Sequence, residues 1–321
     1  MDKNAITAIK TSDLTREQWL ALRKKGIGGS DAAAVCGMNR YKGPLDVYLD
    51  KTNPNVEPQE DNEKMYWGRV MEPILRQEFM KRTGMSVVEC KYLFTNKEFP
   101  FMIADIDGVV TEADGKTKSL LEIKTVNAYS GSAYGNGNLS EAYAIQCFHY
   151  LATLPELSRA YLVMLIGGNE FKYEVIERDE ATIKTIIAME SKFWNDHVLK
   201  KIPPQPDATS GAALDSMYPN SNQTSVILPP SADQLVATIR ECKSVEEDLK
   251  KTVLEAEHRL KNMLKDAESG RTAKGFCVHW KSTSTSRLDT AKLKAEQPEL
   301  VEKYTKTTSS RRFSITEPKK V

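Results

Sequence analysis

From Val87 to Val126 apolar and polar positions tend to alternate with the two-residue period of strands, whereas on either side apolar residues recur every three or four positions, as on a helix. The first helical stretch opens at Thr15-Arg16-Glu17-Gln18, an order in which the first and last side chains can cap exposed backbone groups. It runs through Trp19, Leu20 and Leu22 and meets a stop at Gly26. Gly28 and Gly29 lead into Ser30-Asp31-Ala32-Ala33-Ala34, where Ser30 or Asp31 can cap a second helix whose free N–H groups could face an anion. After a polar loop, Asn53 to Asn62, a longer helix carries Trp67, Val70, Met71, Ile74, Leu75 and Phe79, with Pro73 expected to kink it or mark a new start.

Val87–Phe94, Phe101–Val110 and Ser119–Val126 read as three strands of an antiparallel meander, separated by turn formers such as Ala113-Asp114-Gly115. Leu139 to Leu154 returns to helix. Ala160–Ile166 and Phe171–Ile176 give two more strands around Gly167-Gly168, and Asp179 to Lys201 is an amphipathic helix stopped by Pro203-Pro204. The order α-β-β-β-α-β-β-α predicts the α/β class, a central mixed sheet flanked by helices.

Pro203 to Pro230, rich in Pro, Ser, Asn, Gln and Thr, is expected as a linker or surface loop between a core over residues 1–202 and an extension over 231–321. A second capping box, Ser231-Ala232-Asp233-Gln234, opens a long helix expected to reach Gly270. Ile239, Cys242, Leu249, Val253, Ala256, Leu260 and Met263 follow at 3–4 spacing, interrupted in register by Glu246. So narrow a stripe must pack on something, either its own chain or another helix in a coiled coil.

Charge changes this picture in one place. Over 321 residues, 45 Lys and Arg against 44 Asp and Glu give a net +1, which excludes a uniformly basic nucleic-acid coat and an acidic solvating tail. From Arg271 to Val321, however, twelve basic residues meet five acidic ones, so phosphate attraction would concentrate there. Phe276, Trp280, Tyr304 and Phe313 lie in the same stretch, a mixture that suits nucleic acid and also suits a small β-module. Five cysteines, Cys36, Cys90, Cys147, Cys242 and Cys277, are scattered with no C-x-x-C pair, so each is expected as a small buried apolar side chain. His149, His197, His258 and His279 form no local metal motif and read as structural or surface groups. MDKNAITAIK has no apolar signal core and no apolar run approaches a bilayer span, so a cytoplasmic protein without membrane contact is expected.

Candidate chemistry concentrates in Asp105-Ile106-Asp107-Gly108-Val109 and in Leu120-Leu121-Glu122-Ile123-Lys124-Thr125. On a strand Glu122 and Lys124 share one face while Leu121 and Ile123 take the other, and an adjacent strand bearing Asp107 offers a second carboxylate. Charges among Leu and Ile are costly unless paired, so the pattern fits either an active site or a structural ion pair on a solvated sheet face. Asp105, two residues from Asp107, is a rival carboxylate. The glycines from Gly26 to Gly29 form no G-x-x-x-x-G-K-[S/T], which leaves an ATPase without support, and Gly135-Asn136-Gly137 reads as a flexible loop.

Ordered blocks resemble a known family. Leu22-Arg23, Gly28-Gly29-Ser30-Asp31, Trp67-Gly68-Arg69 with Glu72, Ile106-Asp107-Gly108, Leu121-Glu122-Ile123-Lys124-Thr125, Tyr143 to Tyr150 with Gln146, and Val175 to Glu180 follow the sequence of the PD-(D/E)xK nuclease superfamily. Within it they resemble the YqaJ or lambda-exonuclease-like group of phage-type alkaline exonucleases over most of Trp19 to Glu180, with Ile106 standing where Pro is common.

The resemblance implies a restriction-endonuclease-like sheet and a Mg²⁺-dependent exonuclease, with Mn²⁺ as substitute, that digests duplex DNA 5′ to 3′ and leaves 3′ single strands for recombination. It implies Asp107 and Glu122 as metal ligands, with the Ile123 carbonyl and Glu72 completing the set. Lys124 would position or deprotonate the attacking water, Gln146 would orient that lysine or the water, and Arg23 with Ser30 would take a terminal 5′-phosphate. Duplex ends, a RecT-type single-strand annealing protein and further copies of the chain, as a trimer, are the implied partners. Alternatives with the same residues are an endonuclease or nickase, and a non-catalytic end-binding accessory. The C-terminal extension is expected to grip DNA or the annealing partner.

Overall fold

The computed structural model describes residues 6–53, 62–128, 141–307 and 310–317. The chain divides into two units, Met1–Met217 and Tyr218–Val321. In chain order the first holds β1 (Ile6–Lys10), α1 (Arg16–Arg23), β2 (Ile27–Gly28), α2 (Gly29–Val35), α3 (Pro44–Thr52), α4 (Glu63–Thr83), β3 (Ser86–Glu89), β4 (Tyr92–Asn96), β5 (Met102–Asp105) and β6 (Gly108–Thr111). It continues with β7 (Lys118–Val126), α5 (Glu141–Thr153), β8 (Arg159–Ile166), β9 (Glu170–Glu177), α6 (Glu180–Phe193) and α7 (Gly211–Met217).

The class is the α/β arrangement expected, with mixed sheets flanked by helices, but the strands form two sheets. One has the order β1-β4-β5-β2 and the other β3-β6-β7-β8-β9. The predicted strands Val87–Phe94 and Phe101–Val110 are each broken, the first into β3 and β4, the second into β5 and β6. Their halves pair with different neighbours, β4 with β1 and β5, β3 with β6, so the ribbon bends from one sheet into the other. Gly108 stands just past the bend in the second strand, and a Cβ there would lie 2.9 Å from Val87. Only glycine allows this approach.

Strand β7 pairs antiparallel with β6 and parallel with β8, the parallel connection passing through α5. Leu121 and Ile123 point to one face and pack with Leu75 and Phe79 of α4. Leu120 joins the larger cluster on the other face, where α5 lies with Cys147, Tyr150 and Leu151. Glu122 shares that second face and is 2% exposed, so its charge is enclosed between sheet and helix.

Several expectations are corrected. Helix α3 and strands β1 and β2 carry no predicted counterpart. α4 is continuous through Pro73, and Trp67 and Ile74 are exposed while Leu75, Arg76 and Phe79 form its buried stripe. α6 ends at Phe193, and a π-turn with the Leu199 amide on the Trp194 carbonyl follows. The first half of 203–230 is not a free linker, since Ser210 and Ala213 are buried and Gly43 packs against Thr209 and Asp207. Gly135-Asn136-Gly137 and the first residues of the helix expected from Leu139 lie outside the described residues.

The second unit contains α8 (Ser231–Leu264), β10 (Ser269–Arg271), β11 (Cys277–His279), α9 (Thr290–Glu296) and α10 (Pro298–Tyr304), with β10 and β11 paired antiparallel. The capping box expected at Ser231 does not form. Pro230 is the N-cap, and the first amides bond the Pro229 and Pro230 carbonyls. α8 ends at Leu264, short of Gly270, and Cys242 and Cys277 are exposed rather than buried. Among the described residues no helix is long and apolar enough to cross a membrane.

Candidate functional site

The capping box at Thr15 forms as the sequence predicts, the Thr15 amide donating to Gln18 Oε1 at 2.9 Å and the Gln18 amide to Thr15 Oγ1 at 3.3 Å. This fixes α1, on which Trp19 and Arg23 stand four residues apart, and the Arg23 guanidinium lies 4.8 Å from the Trp19 ring centre. From there Arg23 Nη2 donates to Ser30 Oγ at 2.7 Å. Helix α2 starts one residue earlier than Ser30, with Gly28 at its N-cap. Gly29 allows the close approach of α5, since a Cβ there would lie 2.5 Å from the Tyr150 ring.

Beneath this pair lies a cation cluster that no sequence pattern announces. Asp31 is 3% exposed and accepts from Lys42 Nζ at 2.6 Å and Lys51 Nζ at 2.8 Å. Burial alone would raise the Asp31 carboxyl, but Lys42, Lys51 and Arg23 hold it well below the usual range. Lys51 also donates to the Arg23 carbonyl at 3.1 Å, so it ties α3, α2 and the end of α1 together. Lys51 stood in a helix the pattern did not reveal, whereas Trp19, four positions before Arg23, was legible from spacing alone.

The bend between the sheets separates Asp105 from Asp107. Asp105 ends β5 and accepts the Trp19 indole N–H at 3.1 Å, while Asp107 follows the bend and accepts the Ile123 amide at 2.7 Å. Glu122 Oε1 accepts from Lys124 Nζ at 2.6 Å and from Gln146 Nε2 at 2.6 Å. Gln146 Nε2 also reaches the Tyr150 hydroxyl at 3.1 Å, which places Tyr150 in the same network. Glu122 Oε2 is buried and has no hydrogen-bond partner among the described residues. An orphaned carboxylate oxygen in a dry site is costly, and such atoms mark places where a cation is accommodated.

The electrostatics agree. Burial, reinforced by the Asp107 charge, pushes the Glu122 carboxyl upward against the opposing pull of Lys124. Asp107 and Asp105 are also raised by burial. Burial would lower Lys124, but the Glu122 and Asp107 charges outweigh it and hold the ammonium above its ordinary value. Arg23, Ser30, Asp107, Glu122, Lys124 and Gln146 all line one cleft of about 190 Å³, with Asp105 and Tyr150.

Glu72 and Ile123 stand apart from the six expected residues that line the cleft. Glu72 stays outside the cleft lining and bonds Arg76 on its own helix, although burial and the Asp107 charge raise its carboxyl to about 7. Ile123 contributes its amide to Asp107 while its side chain packs on the α4 side. Among the described residues no three carboxylate, imidazole or thiol side chains converge as a ready-made cage. The donors lining the cleft are hard oxygens, the carboxylates of Asp105, Asp107 and Glu122, with one atom unpartnered among the described residues, which fits a hydrated Mg²⁺ or Mn²⁺ better than a thiophilic metal.

Comparison with known proteins follows the same residues. The YqaJ-like viral recombinase domain matches residues 18–154. YqaJ of Bacillus subtilis (strain 168), an uncharacterized protein, is 35% identical over 319 residues, 98% of each chain. The chain belongs to the YqaJ-like viral recombinase family. Among solved structures, the alkaline exonuclease LHK-Exo of Laribacter hongkongensis is similar at 24% identity with a TM-score of 0.48, covering 58% of this chain and 94% of that one. A phage related exonuclease from Haemophilus somnus 129PT is similar at 13% identity with a TM-score of 0.38, covering 57% and 99%. The matched stretch of the YqaJ-like domain, residues 18–154, holds every site residue from Trp19 to Tyr150.

Proposed function

We propose that this YqaJ-like chain is a metal-dependent deoxyribonuclease that digests linear duplex DNA from 5′-phosphorylated ends and leaves 3′ single strands for recombination. The observation that carries the reading is the convergence of Asp107, Glu122 and Lys124 on one cleft, with Glu122 Oε2 buried and unpartnered among the described residues. Asp107 and Glu122 would hold Mg²⁺, or Mn²⁺ in its place, with the Ile123 carbonyl; Glu72 would join only on leaving Arg76. When bound, the cation supplies charge neutralisation at the phosphate and a lowered water pKa.

The chain's own groups do the rest. Lys124 presents its ammonium to the cleft, where it orients the attacking water and faces the charge that develops on the phosphate. Gln146 fixes Glu122 Oε1, and so fixes the geometry of Lys124 through the shared oxygen. Arg23 and Ser30 bind the terminal 5′-phosphate, the planar guanidinium meeting two oxygens and the hydroxyl adding a donor. Both lie on the lining of the same cleft, which favours an end-dependent enzyme over an endonuclease. A RecT-type annealing protein would receive the 3′ strand, and a homo-oligomer, a trimeric ring around the duplex, would keep digestion processive.

Incubation of the protein and Mg²⁺ with linear duplex, covalently closed circle, and linear duplex with 5′-hydroxyl ends tests the reading. The 5′-phosphorylated linear DNA is expected to be degraded fastest and the circle to persist. Cutting of the circle would assign an endonuclease, and binding of ends without loss of nucleotides would assign a non-catalytic accessory.

A further inference from the structure

Helix α8 carries a seam with a strict seven-residue repeat. Leu235, Cys242, Leu249, Ala256 and Met263 stand seven apart, and Ile239, Glu246, Val253 and Leu260 fill the alternate positions at 3–4 spacing. No residue of α8 is buried, and Leu249 and Val253 at its middle are 62% and 58% exposed. An apolar stripe of this length left open to water is unfavourable.

We infer that α8 pairs with α8 of a second copy of this chain as an antiparallel two-stranded coiled coil. The seam itself selects the partner and the direction. In the antiparallel register Ile239 meets Met263, Cys242 meets Leu260, Leu249 meets Val253, and Glu246 meets the small Ala256 of the other copy. The flanking Lys243 of each chain then faces Glu257 of the other, an opposite-charge pair made twice by the two-fold axis. Val236 and Leu264 extend the apolar contact at both ends.

A parallel pair loses these features. It sets Glu246 against Glu246 inside the seam and leaves the flanks with no opposite-charge pair, Lys243 facing Thr238 and Glu257 facing Thr252. Within the single helix Lys250 Nζ already bonds Glu246 Oε1 at 2.6 Å, which draws the carboxylate toward the flank and offsets the approach of Lys250 to its own copy at the axis. Pairing of α8 is compatible with a ring of cores, because a two-fold axis doubles a cyclic assembly.

Light scattering after size exclusion compares the full chain with a Leu249→Lys, Val253→Lys variant, whose surface positions leave the core intact, as far-UV circular dichroism checks. The wild-type particle is expected at twice the mass of the variant. Equal masses overturn the proposal, whether the helix is solitary or waits for a different protein. Direction is read by mild copper-phenanthroline oxidation in a Cys277→Ser background. Leu260→Cys should give a covalent dimer only while Cys242 is present. A dimer through Cys242 alone, or through residue 260 alone after Cys242→Ser, would mean a parallel pair and overturn the antiparallel assignment.

Discussion

Glu122 holds one carboxylate oxygen in two short hydrogen bonds and leaves the other with none among the described residues, which is the most informative single feature of the molecule. The sequence made the charges of Glu122 and Lys124 visible because they interrupt an apolar strand. It did not say whether Asp105 or Asp107 stands nearer, since two residues apart on a straight strand share a face. The bend gives them different partners, Asp105 the Trp19 indole and Asp107 the Ile123 amide, while both line the cleft. Arg23→Ala is expected to lower the preference for a 5′-phosphate over a 5′-hydroxyl end by about tenfold or more, the order of one lost charge-assisted bond of roughly 1.5–3 kcal/mol. Lys51→Met should shift the same ratio in the same direction through KM. Steady-state rates on the two substrates measure both. His149 supplies a pH test. Its two ring nitrogens face Glu190 at 2.8 Å and the Ile103 carbonyl at 3.0 Å, both acceptors, so only the imidazolium satisfies both. Burial would lower its pKa, but Glu190 outweighs burial and raises it above 6.5. The stabilisation is therefore complete below the unfolded value near 6.5 and lost as pH climbs through the folded one. The urea midpoint should fall across that window in the wild type and fall less in His149→Gln.

At the scale of elements, helices with a clean stripe and strands with dense β-branched residues were legible, and the exceptions have physical causes. Helix α3, Pro44–Thr52, begins with a proline at its first position and is short, so its pattern was too brief to separate from loop. The breaks in the long strands leave no mark in the sequence because periodicity within a strand carries no information on which neighbour it pairs with. Ser231 looked like a cap and is not one, since carbonyls of Pro229 and Pro230 satisfy the first amides instead. α4 bears on the site through packing. Phe79 is fully buried against Tyr161, Leu121 and Ile123, on the reverse face of the strand that carries Glu122. Phe79→Ala should cost about 3–5 kcal/mol in urea unfolding. Gly29→Ala should displace the Tyr150 ring and, through Gln146, weaken cleavage more than it weakens folding, as the ratio of kcat loss to the shift in urea midpoint would show.

Over the whole molecule, the candidate site and the helix proposed to self-pair occupy different units. The candidate site lies entirely within Met1–Met217, and the basic, aromatic-bearing stretch and α8 lie in Tyr218–Val321. A chain ending at Met217 is expected to unfold cooperatively and to keep cleavage of a short linear duplex, with reduced affinity for DNA in a titration at fixed salt. The composition already hinted at this division, since the charge is balanced overall and positive only beyond Gly270. That the first half of 203–230 packs on α3 was hidden, because Pro, Ser and Thr read as loop whether or not they are covered. The central claim is that the oxygens of Asp107 and Glu122 hold a divalent cation where DNA is cut. The most direct measurement is the release of end label from linear 5′-phosphorylated duplex by wild type and Glu122→Gln, across a Mg²⁺ titration from zero. The account predicts release that rises with Mg²⁺ in the wild type and is lost by about 100-fold or more in a folded Glu122→Gln. Release that is equal in the two proteins, or that persists in EDTA, would contradict it.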